Sequence, residues 1–351
     1  MKAVLKWARG PENMDLREVP EPEVGPNDLL LEVGAVGICG SDLHLRNDEH
    51  ECRLPVIPGH EYSGVVIGKG AKIGDRWRVG DRVCGDLETM DGRIGIHVNG
   101  AYAERMALPE RLAHRLPDGL SFAEGAMVEM VTCMSHAAMF RTRIHPADVV
   151  VITRPGPIGL TMLQIVPLYS PRAVLVTGLR DDALRLRKAR ELGADYVYFS
   201  EDDPVAEVLR LTACEGADLV LDCSGGETAI TQATRMVRNG GWITIVGLWG
   251  HDIHANLDSI PYKNLTVRGT WGWDGMESEC TAFRDDQAVR MAAGWHSWER
   301  PLKTMAMGKI HMEPIVTRHI GLEGWREAFG RLEAKQELKV MIYPNEKYLP
   351  R

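Results

Sequence analysis

VVVITRPGPIGLTMLQIV, residues 149–166, joins a wholly apolar run to a helical one through a turn that carries Gly156 and Gly159. A run without a polar face suits a strand buried on both sides. Five similar runs follow: AVLVT (173–177), YVYF (196–199), DLVLDC (218–223), WITIVGL (242–248) and LTVRGTW (265–271). Between them lie helical patterns such as DDALRLRKARELGA (181–194) and ETAITQATRMVRNGG (227–241), the second ending in a glycine stop. Six strands alternating with helices predict an α/β unit, a doubly wound, six-stranded parallel sheet of the Rossmann, dinucleotide-binding type.

Upstream of this unit the texture differs. Residues 1–128 hold short β-type runs broken by Gly and Pro, among them LLLEVGAVG (29–37), YSGVVIGKG (62–70) and DRVCGD (81–86), which read as a small, irregular β-rich domain. The run LKVMIYP (338–344) is strand-like and is expected to return to that first domain. With 351 residues and 44% hydrophobic content, the chain can bury two cores. A formal charge of −8 gives no basic face for nucleic acid, and no stretch reaches the roughly 20 apolar residues of a membrane span. The start MKAVLKWARGPENMDLREVP carries charge throughout, unlike a signal peptide, so a cytoplasmic protein is expected. Seven scattered cysteines, an odd number without a C-x-x-C pair, argue against a disulfide framework.

At the turn after the first apolar run, backbone N–H groups and a helix dipole can hold a pyrophosphate, with Gly156, Pro157 and Ile158 lining it. The first glycine of a G-x-G-x-x-G pattern is replaced by Arg154, and Pro167 is expected to shorten or kink the helix. An acid gripping the ribose 2′-hydroxyl belongs about 20 residues further on. Gly178 stands nineteen residues after Gly159 instead, with Arg180 and Arg185 beyond it. A carboxylate would repel a 2′-phosphate and a guanidinium would grip one, so NADP is preferred to NAD, with Arg154 expected near the same phosphate. Alternatively the arginines form a solvated helix face, and Asp181 or Asp182 partners the ribose of NAD.

In AVGICGSDLHLR (35–46), Cys39, Ser41, Asp42 and His44 crowd into six residues, and PGHEYSG (58–64) adds His60 and Glu61. Thiolate, imidazole and carboxylate form a natural zinc set, and a catalytic zinc keeps one position open beside three protein ligands. Taken in order, C-G-S-D-L-H (39–44), G-H-E (59–61), V-G-D-R-V (79–83), G-A-Y-A-E (100–104) and G-P-I-G-L (156–160) resemble the zinc-containing medium-chain dehydrogenase/reductase family, which includes alcohol, sorbitol and threonine dehydrogenases. The resemblance covers almost the whole chain. It implies a GroES-like catalytic domain from both chain ends (1–128 and 301–351), a Rossmann domain inserted between them (129–300), and an active site in the cleft between the two.

Carried over by position, the resemblance makes Cys39 and His60 zinc ligands and Glu129, in AMVEMVTCMSHA (126–137), the third, as in the polyol-type branch. Met130 replaces the proline that follows this Glu in the family, and the rival role for Glu129 is that of a carboxylate facing its own helix dipole. Glu61 would lie beside the metal or exchange onto it, and Asp42 would orient His60 through its other ring nitrogen. No cysteine occurs between Cys84 and Cys133, so the family's four-cysteine structural zinc lobe is missing and one zinc per subunit is expected. The implied reaction is metal-assisted hydride transfer between nicotinamide and a secondary alcohol or ketone, with Ser41 accepting the hydroxyl proton and His44 relaying it towards solvent. Duller roles are a turn cap for Ser41 and packing for His44. On the Rossmann side Gly247, Leu248, Thr270 and Trp271 sit at strand ends, where open sheets present ligands.

The implied substrate is a polyol, sugar or cyclic alcohol, for which Trp249, Trp271 and Trp273 could form an apolar wall. The rival readings are a metal-independent reductase of a quinone or enone double bond and a non-catalytic ligand-binding homologue. A homo-oligomer, dimer or tetramer, is expected from the family.

Overall fold

A computed structural model describes residues 1–272 and 298–350, and Trp273 and Cys280 lie outside the described residues. The chain divides into two compact units, Met1–Glu129 with Trp298–Arg351, and Met130–Ser297.

In the first unit a seven-stranded sheet runs in the order Val316–Gly321, Lys339–Tyr343, Asp28–Gly37, Glu61–Lys69, Arg82–Gly85, Ala113–Arg115, with Arg105–Pro109 pairing onto Asp28–Gly37. The C-terminal segment therefore supplies two parallel strands to a sheet otherwise built from the first 115 residues, and Met341 pairs with Gly37. Where the structural lobe was expected to be missing, residues 86–100 form a two-residue-per-strand hairpin, Glu88–Thr89 against Gly92–Arg93. In the same unit His114 stacks face to face on the buried Trp298, ring centroids 4.8 Å apart. Burial, helped by Arg76, drops its pKa from 6.5 to about 4. Neutral His114 therefore contributes stability that is complete above about pH 6.5 and is lost as pH falls towards 4, on the order of 2–3 kcal/mol once its partial exposure is allowed for. His114→Phe keeps the stack and cannot titrate, so acid unfolding followed by circular dichroism should show a smaller loss between pH 6.5 and 4 than in the parent. Equal losses in the two proteins would contradict this.

The second unit holds the six-stranded parallel sheet. Its strands, in chain order, are Val149–Thr153, Ala173–Gly178, Tyr196–Phe199, Ala217–Asp222, Val237–Ile245 and Thr266–Gly269. They lie side by side as third, second, first, fourth, fifth, sixth, so the winding reverses between the first and fourth. All five residues of the first strand are buried, as its apolar run requires. Val151, Leu175, Val220 and Ile243 from four strands pack with Val208, Ile230 and Met236 from the covering helices. Each such fully buried side chain contributes roughly 1.5–3 kcal/mol.

Two boundaries differ from the sequence reading. The helix Glu227–Met236 stops before its glycines, and the fifth strand already begins at Val237. Gly240 and Gly241 lie inside that strand, where a Cβ at Gly241 would overlap the Val237 side chain. The helix after the first strand, Pro157–Ile165, gives way to a 3-10 turn, Val166–Tyr169, around Pro167, because proline removes the N–H that would continue the ladder.

Candidate functional site

Three strand ends of the first sheet converge. Gly37 pairs with Glu61 on one side and with Met341 on the other, so Cys39, His60, Glu61 and Lys339 all fall at one rim. Gly37 is required there, since a Cβ would run into the Glu61 carboxylate and the Lys339 stem. Ligand atoms of Cys39, His60 and Glu61 lie within 4.8 Å of one another, and among the described residues this is the cluster able to hold a metal ion.

Local structure fixes each donor. Cys39 is the N-cap of the helix Gly40–Arg46: its carbonyl takes the Asp42 N–H at 3.1 Å while its own N–H donates to Asp42 Oδ2 at 2.9 Å. Asp42 is buried, accepts from the Tyr102 hydroxyl at 2.7 Å, and places Oδ1 3.8 Å from Nδ1 of His60. That gap is too long for a hydrogen bond, and Nδ1 is buried without a partner. Lys339, 2% exposed, donates to the Glu61 carboxylate and, at 3.0 Å, to the carbonyl of Ile38.

The charges of this rim are unusual for an interior. Burial opposes charge on His60, yet Cys39, then Asp42 and Glu129, raise its pKa to about 10. Burial likewise opposes charge on Lys339, but Glu61 and Cys39 outweigh it and hold the amine protonated. Burial raises the carboxyl of Asp42 despite His60 and Tyr102. A pocket with enough acid to keep a buried imidazole protonated suits a cation, and its sulfur, nitrogen and oxygen donors fit zinc.

Glu129 opens the helix Val128–His136, half-buried, outside the 4.8 Å cluster but near enough to bear on His60. Ser41 is half-buried on the first turn after Cys39, and His44, exposed at the last turn, meets Glu49 through Nδ1. Neither Lys339 nor Tyr102 carries a signal in the sequence that would place it at this site. A lysine opening the apolar run 338–344 reads as a solvated strand end, and Tyr102 reads as part of a motif rather than as the group that holds Asp42.

In the second unit, the turn after the first strand has Gly156 as helix N-cap without a side-chain cap, Pro157 in the first turn and Ile158 next to it. A Cβ at Gly156 would meet nothing within 4 Å, whereas one at Gly159 would strike the Arg154 carbonyl, so the first glycine leaves open space and the second allows close packing. Arg154 itself takes the left-handed conformation, φ 62°, that a glycine would adopt freely.

The expected phosphate cations are differently occupied. Arg185 is folded onto the buried Asp182 at 2.8 Å, because the two face each other at i,i+3. Arg180 pairs with Asp202 on the surface and lies over the Phe199 ring. The Arg154 guanidinium donates to the carbonyl of Ser224 at 2.8 Å, on the fourth-strand side, away from the second strand and the expected 2′-phosphate. Gly178 is buried at the end of the second strand. Gly247 passes close to Ser224 and Gly225. Leu248 is 61% exposed beside it, and Trp271 is 50% exposed next to Thr270, whose hydroxyl is buried without a partner. Trp249 packs instead against the core of its own unit.

Comparison with known proteins matches residues 25–118 to an alcohol dehydrogenase GroES-like domain and 157–285 to a zinc-binding dehydrogenase domain. The chain is 30% identical to a sorbitol dehydrogenase of Halalkalibacterium halodurans, covering 98% of this chain and 99% of the relative. It is 31% identical to a D-arabitol-phosphate dehydrogenase of Enterococcus avium, covering 98% of each. Among solved structures, a putative zinc-binding dehydrogenase from Sinorhizobium meliloti bound to NADP superposes with a TM-score of 0.82 at 28% identity, covering 98% of this chain and 99% of that one. A 2R,3R-butanediol dehydrogenase from Bacillus subtilis gives 0.82 at 26% identity, with the same coverage.

Proposed function

The chain belongs to the zinc-type medium-chain alcohol dehydrogenase family, and from that premise we propose that it is a zinc-dependent, NADP-preferring dehydrogenase of a secondary hydroxyl on a polyol, a polyol phosphate or a cyclic alcohol. Nicotinamide-linked oxidoreduction is common ground with its relatives; the metal, the cofactor preference and the substrate class are the proposal. The observation that carries it is the buried convergence of Cys39, His60 and Glu61 within 4.8 Å.

Cys39 and His60, with the carboxylates of Glu61 and Glu129, are the residues that would hold zinc. Lys339 competes for Glu61, which favours Glu129 as the lasting third donor. A bound zinc supplies Lewis acidity towards the substrate oxygen. The rest falls to the chain's own groups. Asp42, itself fixed by Tyr102, sets a carboxylate 3.8 Å from Nδ1 of His60, too far to orient the ring by a hydrogen bond as the sequence had suggested. Ser41, next to Cys39 but one, accepts the hydroxyl proton, and exposed His44 passes it to solvent with Glu49 at its Nδ1.

Support for NADP comes from Gly178, which presents no carboxylate to a 2′-phosphate, and from Arg180, whose surface pair with Asp202 is worth at most about 1 kcal/mol and yields readily to a doubly charged phosphate. Arg185 drops out of this role, since breaking its buried pair would strand Asp182. The test is turnover of a panel of polyols, polyol phosphates and cyclic alcohols by zinc-loaded protein with each cofactor. Oxidation of at least one class, faster with NADP, is expected. A clear NAD preference overturns the cofactor assignment, and no turnover of any secondary alcohol with either cofactor overturns the function.

A further inference from the structure

We propose that Arg154 is a direct ligand of the cofactor's diphosphate, replacing by side-chain charge part of what a glycine-rich turn supplies through its backbone. This rests on the nicotinamide-cofactor reading above and goes beyond it.

Four observations converge on the residue. Its φ of 62° lies in the region that favours glycine, so a bulky cation stands where the backbone alone would ask for none. Its N–H bonds the carbonyl of Thr177 on the second strand at 2.6 Å, while its guanidinium bonds the carbonyl of Ser224, beyond the fourth strand, at 2.8 Å. The side chain thus bridges the first and fourth strands at the point where the winding reverses, the crevice in which open α/β sheets bind dinucleotides. Among the described residues Arg154 has no carboxylate partner, whereas Arg180 and Arg185 each have one. The buried Asp222, at the end of the fourth strand, accepts through Oδ1 from Thr153 and Ser224 and forms no ion pair with this arginine.

The adjoining helix start completes the arrangement. Gly156 leaves open space, no side chain caps the first turn, and Pro157 has no N–H to offer, so anion binding there relies on Ile158 and Gly159 with the dipole. A guanidinium has five N–H donors, and one of the five is used at Ser224. The remainder are left for charge-assisted bonds with a diphosphate crossing the crevice. Because the side chain reaches towards the fourth strand, it serves the diphosphate common to both cofactors and not the 2′-phosphate of one.

The test is fluorescence titration of the full-length, zinc-loaded protein with NADH and with NADPH over a series of salt concentrations, comparing the parent with Arg154→Gln, Arg154→Lys and Arg154→Gly. Arg154→Gln should weaken both cofactors by the same factor, about tenfold or more, and should flatten the dependence of log Kd on log salt. Arg154→Lys should recover part of the loss. Arg154→Gly, relieved of the left-handed strain, should show the same flattened salt dependence as Arg154→Gln while keeping a thermal midpoint no lower than the parent's, which separates lost charge from damaged folding. Unchanged or tighter binding in Arg154→Gln overturns the proposal, as does a loss confined to NADPH. A parent protein that binds neither cofactor overturns the cofactor reading itself.

Discussion

Cys39→Ser is expected to purify as a folded protein that retains little zinc and turns over alcohol on the order of a thousandfold more slowly, or worse. The sulfur is the one soft donor in the cluster, and a serine hydroxyl at the same position is not deprotonated at neutral pH, so the site loses a charge and a ligand together. Lewis-acid stabilisation of a developing alkoxide is worth several kcal/mol, which sets the size of the rate loss. Folding should survive, because Cys39 caps a helix of seven residues and serine caps helices well. Metal content by plasma spectrometry and circular dichroism check the two halves separately. A Cys39→Ser protein with a full zinc complement and near-normal turnover would refute the assignment.

In metal-free protein Lys339→Met should cost about 3–5 kcal/mol of stability, because it removes the partner of a buried carboxylate and leaves the charge without its cation. Methionine keeps much of the stem volume, so lost packing is a small part of the effect. The double variant Lys339→Met with Glu61→Gln should regain a large part of the loss, since neither member then carries a stranded charge. Urea unfolding of the single and double variants gives the coupling. Additive losses would show that the lysine acts by something other than its pair with Glu61.

These two residues mark the boundary of what was legible in the sequence. Cys39 stands in a dense cluster of ligand types, and chemistry of that kind can be read from spacing. Lys339 lies 278 positions from its partner, and only the pairing of Met341 with Gly37 brings them together. The strand alternation of residues 149–271 was readable because strands buried on both faces leave long apolar runs, and all six runs are strands of one parallel sheet. Its exact edges were not, since the pairing of Val237 with Ala217 overrode the glycine signal at 240–241. The arginines after the second strand show the same limit. Composition gives the number of cations, but whether each faces a ligand or a neighbouring acid is decided by helix phase and by acids such as Asp202, far along the chain. Arg154 was noticed as a departure from a glycine pattern, while the direction of its side chain became visible with the carbonyl of Ser224.

The central claim is that the ion gathered at Cys39 and His60 is required for chemistry. It is tested most directly by stripping the protein with a chelator, confirming that the fold is retained, and titrating zinc back while following NADP reduction by a polyol. The account predicts negligible turnover at the start and a linear rise that ends at one zinc per chain. Full turnover before any zinc is added, in protein shown to be metal-free, would contradict it.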